Sequence, residues 1–365
     1  MAENKFYSGI IYSVVKTFLA LPENKSRSIG TPSRILIVRQ HNQLGDLLTG
    51  VSLFRAVKET FPHSEITLIV SPFNYPGMVK NRFIDRIVIF NKKKLWNPFY
   101  IKNFFKTLRE PYDIAIVPVV VSISFTSNLI ARLSNSKIRI GANSLDGKPN
   151  KSAFLFDRRV DLDWKRHPDS NVSERSLDIV RPFGINTTNY RSEISFDEED
   201  LKSAGEFLNS YRKDKIKPVI GLHVGAGKPQ NRWSLLKYSV LIKKLKDEFG
   251  GFYYLTGSKQ DKSDIIFVCS QLDFEPAILM NCEIPVVAAV ISLSDLFICN
   301  DTGIMHVAGT TTTPQISVFG PTNPLNWAPL GVNKFFIRKS DLIDDISVDD
   351  VFSLCKQLLK SGNNL

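Results

Sequence analysis

Two successive series of short apolar runs, each alternating with helix-period stretches, constrain this chain more than any other feature. In the first series, residues 34–38 read as a short buried strand, followed by a turn through Gly45 and Asp46 and an amphipathic helix from Leu47 to about Thr60. Residues 65–70 and 86–90 read as strands, 98–109 as a helix and 113–117 as a strand. A helix around 127–133 leads to a strand at 137–141, and a helix over 172–183 closes this half. The pattern restarts with a strand at 218–224, the flexible turn Gly225-Ala226-Gly227 and a long helix over 233–249, with Leu235, Leu236, Val240, Leu241 and Leu245 on its inner face. Strands at 252–256, 277–280 and 296–299 follow, with a helix at 286–291. Residues 315–319 form the last expected strand, before the rigid turn Gly320-Pro321-Thr322-Asn323-Pro324 and a final helix at 348–359. Strands alternating with helices predict mostly parallel α/β sheets, and 365 residues suffice for two such domains.

In doubly wound sheets ligands bind outside the carboxyl ends of the strands. Four segments fall there: Gly45-Asp46, Gly225-Ala226-Gly227, Gly257-Ser258 and Asp301-Thr302-Gly303. The last opens a helix, whose first amides lack partners within the helix and favour an anion such as phosphate. Asp301 is expected to cap that helix and His306 to face the same opening; the plainer reading is a capped helix with a satisfied histidine. Gly225 and Gly227 would let backbone amides approach a phosphate, with Lys228 and Arg232 adding charge. A third glycine is missing from that loop, which weakens a dinucleotide fingerprint. Asp46 is placed either to take a proton from an incoming hydroxyl or only to cap its helix. Asp161-Leu162-Asp163 has the form used by metal-dependent sugar transferases, but lies in a stretch read as irregular, with no further carboxylates to complete an oxygen shell.

The formal charge of +11 is uneven: residues 1–190 carry 28 Lys and Arg against 15 Asp and Glu, and the remainder 19 against 21. A basic half beside a neutral one points to an anionic partner, such as a phosphorylated lipid, a membrane surface or nucleic acid. Lys92, Lys93, Lys94 and Trp96 combine charge with an interfacial aromatic, as a membrane-surface loop or a solvated one would. Phe6, Tyr7, Ile10, Ile11, Val14, Val15, Phe18 and Leu19 recur at near-helical spacing, which suits a membrane-surface helix or one packed on the protein's own core. No run reaches transmembrane length. The four cysteines and five histidines show no metal-ligand spacing, so no metal is expected, and cysteine usage fits a reducing cytosol.

With these pieces in order, the chain resembles glycosyltransferase family 9, the bacterial heptosyltransferases of lipopolysaccharide core assembly, from about Arg34 to the C-terminus. The resemblance rests on Arg39 with Gly45-Asp46, on the loop from His223 to Trp233, on Asp301-Thr302-Gly303-x-x-His306 and on Phe319-Gly320-Pro321-Thr322-Asn323-Pro324. It implies a GT-B fold, two Rossmann-like α/β domains facing across a cleft. The expected division is an amphipathic helix and linker at 1–33, an acceptor domain at 34–195, a linker with a helix at 196–217, a nucleotide-sugar domain at 218–345, and a helix at 346–365 returning to the first domain. It also implies an inverting, metal-independent transfer from an ADP-activated heptose to a lipid-linked anionic acceptor, in the cytoplasm with peripheral contact to the inner membrane, and no nucleic-acid partner. Asp46 matches the general base. Thr302 and Gly303 match the amides on the donor pyrophosphate, and Asp301 and His306 the donor-site motif. A family lysine two residues before the tryptophan is Asn231 here, leaving Lys228 or Arg232 to supply the charge; Asp261 is the candidate acid for the donor ribose. Rival readings are a transferase using another nucleotide sugar for capsule or O-antigen, and a non-catalytic nucleotide-sugar binder.

Overall fold

The computed structural model describes residues 12–211 and 218–362, and the chain divides into two units, Met1–Tyr190 and Arg191–Leu365. The first unit runs α1 (12–19), β1 (Arg34–Arg39), α2 (Leu44–Thr49), α3 (Val51–Thr60), β2 (Glu65–Val70), β3 (Arg86–Ile89), α4 (Pro98–Leu108), β4 (Tyr112–Ile116), α5 (Phe125–Leu133), β5 (Ser136–Leu145), β6 (Lys148–Pro149), β7 (Arg158–Leu162) and α6 (Val172–Arg175). Its sheet has the order β3-β2-β1-β4-β5, all parallel, with β7 parallel and β6 antiparallel to β5. Ile35, Leu36, Ile37 and Val38 are buried, as befits the central strand of a sheet covered by helices on both faces. The strand order reverses between β1 and β4, and Asp46 follows β1 at that switch point.

The second unit runs α7 (Glu198–Tyr211), β8 (Val219–His223), α8 (Leu235–Phe249), β9 (Phe252–Gly257), α9 (Lys262–Ser270), β10 (Ala277–Met280), α10 (Ile284–Ser292), β11 (Leu296–Asn300), α11 (Gly303–Gly309), β12 (Gln315–Val318), α12 (Pro324–Trp327), β13 (Lys334–Ile337) and α13 (Val348–Gly362). The six strands are parallel, in the order β10-β9-β8-β11-β12-β13. Again the first strand of the unit lies beside the fourth, and the switch point falls between β8 and β11.

Several expectations are corrected. The helix expected from Leu47 is two helices separated at Gly50, and Asp46 lies in the first turn of α2 rather than in a turn before it. The helix expected over 172–183 shrinks to α6 and a separate turn at Arg181–Phe183, because Pro182 lacks an amide hydrogen and Gly184 turns left-handed at φ 80°. Asp161 sits on β7, a strand in the stretch read as irregular, and β13 extends the second sheet past its expected last strand. On α8 the buried face is Tyr238, Leu241, Ile242 and Leu245, while Leu236 and Val240 are exposed.

The stretch after α1, of which 23–32 is expected to be a linker, is strapped onto the first unit by its backbone. Leu21 and Asn24 amides donate to Phe154 and Asp157 carbonyls, Arg132 and Arg159 donate to Leu19 and Leu21 carbonyls, and Arg27 lies over the Phe183 ring. Phe6, Tyr7, Ile10 and Ile11 lie outside the described residues. The stretch expected to hold a linker and a helix, 196–217, carries α7, packed on α10 in the second unit with Phe207 edge-on to Tyr254 at 6.0 Å, and residues 212–217 lie outside the described residues. Val351, Cys355 and Leu359 of α13 share the second unit's core with Leu241, Leu245 and Ile298, because the helix is amphipathic and α8 offers a complementary apolar face. Among the described residues no helix is long and apolar enough to cross a membrane.

Candidate functional site

The first unit gathers charge at the carboxyl end of β1. Asp46 is buried, its Oδ2 lies 3.4 Å from Arg39 Nη2, and the Gln43 amide, turned to donate, reaches its two carboxylate oxygens at 2.7 and 3.2 Å. Arg39 Nη1 is 2.6 Å from His41 Nδ1. A guanidinium only donates, so Nδ1 carries the lone pair and the neutral ring holds its proton on Nε2. Burial, then the Arg39 and Lys92 charges, push His41 down to about 4. The carboxylate is therefore held from two sides by donors, beside an imidazole that stays neutral at pH 7. Arg39, His41 and Gln43 were not singled out from the sequence as site residues; three polar side chains at spacings of two along one strand end were the available signal.

Lys92–Lys94 form a short turn after β3, and Trp96 follows it. The five strands β1 to β5 are parallel, so this turn lies at the same edge of the sheet as Asp46, and Lys92 is near enough to act on His41.

In the second unit, three of the expected loops leave adjacent strands at one edge. Asn300, the last residue of β11, is fully buried and joins the loops that follow β8 and β11. Its Oδ1 accepts from Trp233 N and Tyr238 Oη, both at 3.1 Å, and its Nδ2 donates to the Val224 and Gly225 carbonyls, both at 3.0 Å. Sequence reading places this residue in the polar turn that follows the strand and gives it no role of its own, because an asparagine at a strand end looks like a turn former. His223 Nδ1 lies 2.9 Å from the Thr256 carbonyl and ties β8 to β9; burial lowers its pKa.

Asp301 does not cap α11. The N-cap is Thr302, in extended conformation and without a side-chain cap bond, which leaves the first-turn amides of Gly303 and Ile304 for another acceptor. The Asp301 carboxylate instead accepts from Asn231 Nδ2 at 2.8 Å and from Thr322, so that two separate sequence motifs meet on it. Burial raises its pKa, opposed by Thr322 and by the nearby charge of Lys228. Asn231 is thus buried with its amide committed to Asp301.

The two candidate cations differ in their surroundings. Arg232 pairs with Asp264 at 2.7 Å, whereas Lys228 is exposed on the loop after Gly227. A Cβ on Gly227 would meet open space, but one on Gly225 would lie 2.0 Å from Asp261 Oδ1. Gly225 is therefore required for room beside Asp261. Asp261 itself closes a capping box, accepting from Ser258 N and Oγ at 2.8 Å, and stands at the end of β9 next to the Gly225 loop.

His306 is corrected: its ring is buried, edge-on to Trp327 at 6.3 Å, and burial pushes it down to about 4. A depressed folded value means that the neutral ring's contribution is complete above the ordinary value of 6.5 and is lost as pH falls toward about 4. By pH 4 the expected loss is on the order of 3 kcal/mol. Urea unfolding at pH 7 and pH 4.5 should show a smaller difference in His306→Asn than in the native protein; equal differences would contradict the assignment. Asp161 accepts from Asn143 and Asp163 pairs with Arg166, so the Asp-x-Asp triplet is occupied by protein donors. Among the described residues no three His, Cys, Asp or Glu side chains gather as a metal site requires.

Comparison with known proteins bears on the same arrangement. Residues 101–348 match the family model described as glycosyltransferase family 9 (heptosyltransferase). Lipopolysaccharide heptosyltransferase 3 of Escherichia coli is 25% identical over 306 residues, covering 79% of this chain and 84% of that protein. The crystal structure of the glycosyl transferase family 9 protein from Veillonella parvula DSM 2008 superposes with a TM-score of 0.80 at 20% identity, over 92% of this chain and 100% of that one. E. coli ADP-heptose lps heptosyltransferase II gives 0.74 at 20% identity, over 90% and 99%. At that identity the likeness is one of fold, and the fold is GT-B. The chain belongs to glycosyltransferase family 9 and is a glycosyltransferase of the heptosyltransferase type.

Proposed function

We propose that the protein is an inverting, metal-independent transferase that moves a heptose or a related sugar from an ADP-activated donor to a lipid-linked acceptor of the lipopolysaccharide core, at the cytoplasmic face of a membrane. The observation that carries this reading is the convergence of Asn231, Thr322 and the Lys228 charge on Asp301, beside the first-turn amides of α11. That arrangement offers polar contacts to the sugar and donors to the diphosphate of one ligand. In this reading Asp46 accepts the proton of the acceptor hydroxyl as its oxygen bonds to the anomeric carbon. The bond from that carbon to the diphosphate oxygen breaks, and its electron pair leaves with the nucleoside diphosphate. The Gly303 and Ile304 amides and Lys228 stabilise the growing charge on the leaving group, Lys228 taking the part for which Arg232 is less free. Asp261 holds the ribose.

Asn231 favours one rival, a donor other than ADP-heptose, because its amide is bound to Asp301 where the family carries a lysine. A donor panel decides between them. With a core oligosaccharide acceptor, turnover is expected with ADP-heptose and not with UDP- or GDP-sugars, and unchanged in EDTA. Turnover with a UDP- or GDP-sugar instead would overturn the donor assignment, and loss in EDTA the metal-independent step. Binding of ADP without turnover of any donor would favour the binder.

A further inference from the structure

The segment from residue 92 to residue 109 has a composition unlike its surroundings. It carries Lys92, Lys93, Lys94, Lys102, Lys106 and Arg109 and no acid. On α4 the inner side, Phe104, Thr107 and Leu108, packs into the first unit's core, so helical spacing places Phe99, Lys102 and Lys106 together on the outer side. Trp96 is 94% exposed and Phe99 78% exposed, and Leu95 is also exposed. None of the five lysines makes an ion pair among the described residues.

This exposure is built rather than loose. Tyr100 Oη donates to the Ile89 carbonyl at 2.9 Å and accepts from Asn91 N at 2.6 Å, pinning the loop to the end of β3. Asn91 accepts from Lys93 N and Asn97 caps α4 through Tyr100 N. The chain thus keeps two large aromatics in water at an energetic cost, inside a field of uncompensated positive charge. A protein partner's core would favour aromatics without so many lysines. An interfacial tryptophan flanked by lysines suits lipid headgroups, where the ring sits at the water boundary and each cation meets anionic lipid.

We propose that this loop and the outer side of α4 form a docking surface for an anionic lipid bilayer. It lies at the sheet edge that carries Asp46, and Lys92 acts on His41 beside Arg39. A lipid-linked acceptor would therefore be met where its hydroxyl is deprotonated. The inference deepens the acceptor reading and rests on it for that last step.

The test is co-sedimentation of the full chain with vesicles of phosphatidylcholine alone or with about 30 mol% phosphatidylglycerol, an anionic lipid that supplies the negative surface. Binding is expected only to the anionic vesicles and should fall with added salt. Lys92→Glu with Lys93→Glu and Lys94→Glu should lower it by about 100-fold or more. Phe99→Ser with Lys102→Glu and Lys106→Glu, none of which bonds to Asp46, Arg39 or His41 among the described residues, should lower it at least tenfold while leaving turnover of a water-soluble, deacylated acceptor unchanged. Native protein that stays in the supernatant at low salt, or variants that bind as the native protein does, would overturn the proposal. So would variants that alter self-association by light scattering and leave vesicle binding intact. Failure of turnover with the soluble acceptor would instead strike the transferase reading and leave vesicle binding to be judged by itself.

Discussion

Replacing Asp46 by asparagine is expected to lower kcat by about 10²- to 10⁴-fold, the range ascribed to a positioned general base. The amide keeps the size of the side chain and cannot take a proton. Donor binding should change by less than about twofold, because the groups assigned to the donor stand on the other unit and a base that acts only in the transition state leaves ground-state affinity alone. ADP titration calorimetry and initial rates measure the two separately. Arg39 is buried and would then face a neutral amide, so thermal denaturation of the variant should accompany the kinetics. A variant folded as the native protein is, yet retaining more than about a tenth of the turnover, would remove Asp46 from the chemistry and return it to the role of a structural partner for Arg39 and Gln43.

Asn300→Ala should give the largest loss of stability among single changes at the donor loops, about 3–5 kcal/mol. Four bonds converge on this fully buried amide, and alanine leaves the Trp233 amide, the Tyr238 hydroxyl and two carbonyls without their partner. A water entering the space left by the amide would recover only part of this loss, because it must be immobilised there. The denaturation midpoint of the second unit should fall by roughly 10 °C. Asn300→Asp is the sharper comparison. It keeps the acceptor toward Trp233 and Tyr238 but turns a second carboxylate oxygen onto the Val224 and Gly225 carbonyls, so it should be at least as damaging. A cost below about 1 kcal/mol for alanine would show that the loops after β8 and β11 hold together without the asparagine.

These two residues also show where reading the chain succeeds and where it stops. Asp46 was identifiable because its position after an apolar strand is a property of local order: strand, glycine, acid, helix. The same locality made Asp301, Thr302 and Gly303 visible, and the alternation of periods made two parallel α/β units visible. Asn300 carries no such signal. Its neighbours in space, Val224, Gly225, Trp233 and Tyr238, are more than 60 positions away in sequence, and only the pairing of β8 with β11 brings them within reach.

The misread elements have the same origin. Leu236 and Val240 fit a helical stripe as well as Tyr238 and Ile242 do, and periodicity alone fixes a stripe but not which way it faces. The choice was made by α13 and the sheet, which cover one side of α8. The strap at 20–32 mixes Asn, Lys, Arg and Ser with Gly and Pro, and 23–32 reads as a linker, yet its backbone finds carbonyls and arginines of the first unit to bond. His306 lies in a motif that reads as a polar opening, and tertiary packing against Trp327 withdraws it from water.

What the sequence determined by itself was therefore everything set by near neighbours: the strand and helix periods, the turns that end the strands, the uneven charge and the motifs of the family. Tertiary structure alone decided which of those groups share a site. It gave Asp301 the partners Asn231 and Thr322, paired Arg232 with Asp264, made Gly225 yield room to Asp261, and left Trp96 and Phe99 in water. The physical reason is range. Backbone preferences and side-chain periods act over a few residues, whereas burial, ion pairing and hydrogen-bond satisfaction depend on which distant segments the two sheets bring together.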